Sequence, residues 1–287
     1  MSTLDTRTTT ARGATHRPAR TLALGLERAR YEIRQYFRAG DALFFTFLFP
    51  TVMFVIFAAA LGSGEVGADA HGHGGISIAA YYLPGLVAAG IVLSGIQSLG
   101  IDIAGERSDG TLKRLGGSPL PVVSYFLGKV GMVLATAVAQ LALLLAVARL
   151  VFGVALPASG ALWARLAGIF LLSILMSVVL GIAISGLPRS GRSASAVIVP
   201  ILLVLQFISG VYFRFADLPD WLRNVAGIFP LKWIAQGMRS VFLPDRFAAA
   251  EQTGSWDLGM MALMLLGWTL LGLVVARLTF RWVRRDG

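Results

Sequence analysis

Residues 105–121 read GERSDGTLKRLGGSPLP, and five of these seventeen are charged, in a 287-residue chain where only 14% are. Residues 82–101, just before, carry no charged side chain, and residues 122–148, just after, carry only Lys129. Each flank is long enough to cross a hydrocarbon layer of about 30 Å. A polar hook between two such runs reads as a turn at a membrane face. The plainer alternative is a connecting loop whose charges only set topology.

Working outward, the same pattern repeats. Apolar runs at 42–61, 82–101, 122–148, 166–187, 194–213 and 258–276 predict six transmembrane helices. With 56% hydrophobic residues and a mean hydropathy of +0.74, the chain has too little polar surface to cover a soluble core. The fold class is therefore an all-α polytopic membrane protein. Residues 1–21 have no apolar stretch and read as a disordered cytoplasmic tail rather than a secretory signal. Residues 22–40 place Leu22, Leu26, Ala29, Ile33 and Phe37 at helical spacing, with Arg28, Arg30, Arg34 and Arg38 around them. That pattern is a basic amphipathic helix, lying at the interface or docked on another element. Residues 41–287 form the six-helix domain. Pro50 falls inside the first span, and Pro200 is expected to kink the fifth.

Lys and Arg in short loops set orientation. Eight Arg precede residue 42, and the hook adds Arg107, Lys113 and Arg114. Arg189 and Arg192 lie in the fourth loop, and four Arg follow the last span. The loops at 62–80 and 150–164 have none. Both termini and the 102–121 loop are thus expected in the cytoplasm. Lys129 and Arg149, near the ends of the third span, are expected to snorkel to the interface. The net charge of +10 fits topology and anionic lipid, so no nucleic-acid partner is expected.

The long fifth loop breaks the alternation with five basic residues. Asp217 is a candidate helix cap there, with Pro219 in the first turn. Trp221, Leu222, Val225, Ile228 and Phe229 form an apolar face, Pro230 interrupts, and LKWIAQGMRSVF follows. Residues 214–245 read as an outer helical hairpin, either re-entrant or lying on the surface.

The inner stretches of the spans hold no site for a driving ion. Their polar groups include Gln97, Ser98, Thr136, Gln140, Gln206 and Ser209. These either bond neighbouring helices or line a mildly polar pathway for an amphiphilic solute. No catalytic residues and no metal site are expected. The only histidines are His16, His71 and His73, and two in the glycine-rich HGHGG at 71–75 make an incomplete metal site. No GxxxxGK[ST] stretch occurs, and the absence of cysteine excludes thiolate chemistry. Any pumping energy should enter from outside the spans.

ERSDGTLKRLGGSPLPVVSYFLGKV, residues 106–130, resembles the signature of ABC type-2 exporter permeases. YYLPG at 81–85 is similar to that family's approach to the second helix, and residues 209–242 to its outer re-entrant helices. The resemblance is nearest the drug-resistance branch, of the daunorubicin-exporter kind. It implies a bacterial inner- or plasma-membrane exporter, paired with a separate ABC ATPase subunit that holds ATP and Mg. This chain then has no cofactor and is not itself an enzyme. It also implies a permease homodimer, two permeases with two ATPases. Glu106, Arg107, Gly110, Thr111 and Leu112 match the motif and are the implied ATPase-coupling residues, joined by the amphipathic helix with Arg34 and Arg38. Lys113 and Arg114 depart from the acidic residue often found after Gly-Thr-Leu. An ion-coupled carrier or channel acting alone, or a membrane-bound immunity or sequestration factor, are the alternatives.

Overall fold

The computed structural model describes residues 18–40, 43–61, 64–67, 74–188 and 190–279. Six of the described helices are long and apolar enough to cross a membrane. The first 17 residues of the tail, His71, His73, Arg189 and the last three Arg lie outside the described residues.

Helix α1 spans Pro18–Tyr36, four residues earlier than the periodicity suggests at both ends. The first span, α2, runs Leu43–Ala60 and opens with a π-helical turn at Leu43–Leu48. Pro50 then falls in the first turn of the α-helical part, just after the π-helical turn, a position that tolerates proline. A two-residue antiparallel ladder, β1 (Glu65–Val66) with β2 (Ile76–Ser77), leads into α3 (Ile78–Ser108). Short α4 is Thr111–Gly116. The third to fifth spans are α5 (Val122–Leu150), α6 (Gly160–Ile184) and α7 (Gly191–Ile208). Two short helices follow, α8 (Asp220–Ala226) and α9 (Pro230–Phe242), then the last span α10 (Leu258–Thr279).

Helix α3 is the axis of the molecule. Its most apolar window is 83% buried, against 22% for α7 and α10. It touches α2, α5, α6, α7 and α9. Its glycines make this possible. Gly85 faces the chain at Val211, Gly90 faces Gln140, Gly95 faces Ser177 and Gly100 faces Ile184 and Ile198. The five-residue spacing thus turns successive glycines to different neighbours. The tightest crossing is between α3 and α6, where a Cβ on Gly181 would collide with the Gly95 carbonyl oxygen. Only glycine admits that approach.

Helices α7 and α10 turn rows of large apolar side chains outward, among them Ile201, Val204, Leu263 and Leu270. In a membrane protein such faces meet lipid or another chain rather than water.

Candidate functional site

The second span continues about two turns beyond its charge-free run, at 3.6 residues per turn. Ile103 and Ala104 continue the buried stripe of α3, so the helix carries Asp102, Glu106 and Arg107 instead of ending before them. The loop expected at 102–121 therefore contracts to 109–121. Gly110 breaks the helix with φ 77°, a left-handed conformation suited to glycine. Gly110 is the cap residue of α4 and has no side chain to bond its first turn. The Asp109 carboxylate, one residue earlier, accepts the Thr111 backbone N–H at 2.8 Å. Hydrogen bonding from Thr111 holds the Asp109 carboxyl below its ordinary range. Leu112 is 1% exposed and pins α4 to the core, while Lys113, Arg114 and Gly116–Pro119 face outward.

Glu106 and Arg107 do not share that outward face. Arg107 donates to the backbone oxygen and hydroxyl of Ser185, at 2.7 and 3.2 Å, tying α3 to the end of α6. Glu106 turns to a buried cluster around Lys129. The Lys129 ammonium donates to Glu32 Oε2 at 2.9 Å, to Glu106 Oε1 at 2.9 Å and to Asp102 Oδ2. Arg28 Nη2 lies 2.5 Å from Glu32 Oε1 and 3.0 Å from Glu106 Oε1. The Tyr125 hydroxyl donates to Glu106 Oε2 at 2.6 Å. Lys129 therefore does not snorkel. Its side chain is fully buried, because three carboxylates on α1 and α3 converge on it. Oxygens of Glu32, Asp102 and Glu106 all lie within 4.8 Å of one another, the spacing of a cation site, and the ammonium stands among them.

Helix α1 reaches the cluster by lying close on α5. A Cβ at Gly128 would collide with Arg28 Cγ. Gly25, Ala29, Glu32 and Tyr36 form the docked face, and Ser124 Oγ donates to the Thr21 carbonyl at 2.8 Å. Leu22 and Leu26 flank it and are exposed, whereas Arg34 and Arg38 are exposed on another side. So α1 has three faces: small and acidic toward α5, apolar, and basic. Burial raises the Glu32 carboxyl above its ordinary range, with Lys129 and Arg28 only partly offsetting it, and burial likewise raises the Tyr36 phenol.

Beside the cluster lies a cavity of about 610 Å³ between α1, α2, α3 and α7. Gln97, Ser98 and Gln206 line it, together with Glu32 and Asp102. A smaller apolar cavity of about 240 Å³ shares Phe49 and Leu203 with it and extends to Phe207 and Tyr212. The other three polar residues named from the sequence are packed elsewhere. Thr136 donates back to the Met132 carbonyl at 2.9 Å. Gln140 accepts from Ser94 at 3.1 Å and donates to the Thr46 carbonyl. The Ser209 hydroxyl is buried with no hydrogen-bond partner among the described residues.

Sequence reasoning misses the cluster because Asp102 reads as part of the 102–121 loop, Glu106 as a coupling residue of the hook and Lys129 as a snorkelling end charge, and Glu32 is lost among arginines. A signal is nonetheless there. Asp102 and Glu106 are an i,i+4 acidic pair, and Tyr125 and Lys129 an i,i+4 donor pair across the hook, so each set shares one helix face.

A second buried network occupies the opposite end. Asp217 does not cap α8; it ends a 3₁₀ turn, binds Arg214, and leaves Pro219 as the cap residue. Helix α8 is largely exposed, with Trp221 open and Ile228 open just after it, but α9 is buried from Pro230 to Val241. Its Arg239 grips Glu251 with two nitrogens, at 2.5 and 3.1 Å. Lys232 donates to Gln236 and sits 3.7 Å over the Trp233 ring. Burial lowers its ammonium to about 8.

No curated protein matches the chain. Residues 72–274, more than half of the chain, reach from just before β2 into α10 and so take in the hook, α5 and the α9 network. They match the family described as ABC-2 family transporter protein, and the chain belongs to that family.

Proposed function

We propose that this chain, the transmembrane component of an ABC transporter by its family, exports a hydrophobic or amphiphilic solute, a drug-like compound or lipid. The family implies a partnership with an ABC ATPase subunit, and such membrane components are generally not themselves catalytic. In this reading ATP and Mg act on that ATPase, two copies of this chain pair with two ATPases, and α4 and both termini face the bacterial cytoplasm. Helix α1 lies at the inner interface, and the α8–α9 hairpin sits at the outer side.

The observation that carries this reading is the mounting of α4. Leu112 anchors the short helix in the core, and its basic outer side is exposed at the end of the most buried span. A push on α4 is passed straight into α3. The ion cluster passes it on to α1 and α5, and Arg107 to α6. The two neighbouring cavities, which share Phe49 and Leu203 of α2 and α7, then offer a route with mostly apolar walls.

Co-expression with a candidate ABC ATPase tests the proposal. Co-purification is expected, with ATPase activity that depends on this chain and falls at least about tenfold in a Lys113→Glu/Arg114→Glu variant, since reversed charges at a docking face repel. Uphill transport by the lone chain in liposomes, under an ion gradient and without ATP, would overturn it.

A further inference from the structure

We propose that the large cavity between α1, α2, α3 and α7 binds a cationic amphiphile, with its positive group against Asp102 and Glu32 and its apolar body against Phe45, Phe49, Leu93 and Leu203. This rests on the exporter reading and sharpens it by naming the charge of the solute.

Three observations converge on it. First, the cavity lining contains two carboxylates and no Lys or Arg, in a chain whose formal charge is +10. Its other polar residues are neutral, such as Gln35, Gln97 and Gln206. Second, the carboxylates beside it are not balanced. Glu32, Asp102 and Glu106 share the two cations Lys129 and Arg28, which leaves one negative charge in excess in that set of ion pairs. Asp102 is the one that opens outward: its side chain is 30% exposed, and it gives only Oδ2 to Lys129. Third, Tyr36 lines the same cavity, is 7% exposed, and its hydroxyl completes no hydrogen bond although Thr46 lies beside it. A buried hydroxyl of this kind is costly unless something accepts from it or donates to it.

The chemistry selects the ligand. An anion would meet Asp102 with no cation left to receive it. A small hydrated metal ion would face mostly apolar walls, and the carboxylate triad already holds an ammonium. A lipophilic cation satisfies both parts of the lining, which includes the aromatic residues Tyr36, Phe45 and Phe49.

Tetraphenylphosphonium and tetraphenylborate are suitable probes, being alike in shape and opposite in charge. Saturable binding is measured on the full chain in lipid nanodiscs, without ATPase or nucleotide. The cation is expected to bind at least about tenfold tighter than the anion, because one uncompensated carboxylate attracts the first and repels the second. Asp102→Asn should reduce that preference to about threefold or less, and Asp102→Glu should keep it. Leu203→Trp, remote from the ion cluster, should abolish saturable binding of the cation by filling the cavity. Equal or tighter binding of the anion, a preference unchanged in Asp102→Asn, or full cation binding in Leu203→Trp each overturns the proposal. Since no ATPase is present, these outcomes leave the exporter reading standing, and loss of ATPase co-purification leaves this one standing.

Discussion

The protein buries charge at both ends, but it does so in opposite ways. At the hook end, Lys129 gathers partners 97, 27 and 23 residues away in sequence, on α1 and α3. At the far end, Arg239 and Glu251 are 12 residues apart, and Lys232 and Gln236 four. The first network is a clasp between separate helices. The second is internal stiffening of one segment, which then docks as a unit on α3, α6 and α10. Ion pairs that join distant elements transmit displacement between them, whereas local pairs only keep a segment rigid. By this contrast, motion imposed on the hook should spread through the clasp, while the α9 region moves as a block.

The sharpest way to break the comparison is Lys129→Met. It leaves Glu32, Asp102 and Glu106 with Arg28 alone, in a site where the Lys129 side chain is fully buried. Removing one partner of a buried ion pair costs about 3–5 kcal/mol. The expected result is the largest fall in melting temperature of any variant discussed, with faster hydrogen exchange in α1 as its docking on α5 loosens. Glu32→Gln in the same chain should recover part of the loss by removing one unpaired charge. Unchanged melting and unchanged protection of α1 would refute the clasp.

Glu251→Gln probes the other end and should cost less, about 1–3 kcal/mol, because Arg239 keeps an amide acceptor and the Gly210 carbonyl. Hydrogen exchange should rise only between residues 210 and 257, and ATPase stimulation should survive in the fraction that remains folded. Spread of the exchange to α1 or α5 would mean that the two networks are one.

The two ends are also unequally legible in the sequence. Span positions follow from apolar length, which needs no partner to be read, and all six spans are found where that length places them. The end of α3 is not, because IAGERSD looks like a loop until Lys129 and Arg28 arrive from α5 and α1 to neutralise it. Helical periodicity records which residues share a face, not which distant face will meet them. For α1 it identifies the apolar flank at Leu22 and Leu26 but gives no weight to Gly25 and Glu32, which lie on the side that docks. Among the polar residues of the spans, sequence does not separate Thr136, satisfied by its own helix, from Gln97, which faces the cavity. In α9 every face is covered although Lys232, Gln236 and Arg239 are polar, since they find partners inside the segment.

The smallest effect is a pH dependence, and its sign separates the ends. Burial lowers the Lys232 ammonium from its ordinary 10.5 to about 8; the Arg239 charge pushes the same way, and Glu251 and Asp257 push back. The folded chain therefore releases this proton at lower pH than the unfolded chain does. Between those two values the unfolded state holds more protons, so this group makes stability rise as pH increases from about 8 to 10.5. Glu32 behaves oppositely. Its carboxyl is raised above 4.5 by burial, so the folded state holds the extra proton and its contribution falls as pH rises from 4.5 to the raised folded value. Melting temperatures of the wild type and Lys232→Met, measured from about pH 7 to 10.5, isolate the first group by difference. The wild type should gain on the variant across the upper part of that range. Parallel curves would mean that Lys232 titrates as a solvated lysine, and the far end would then be no buried network at all.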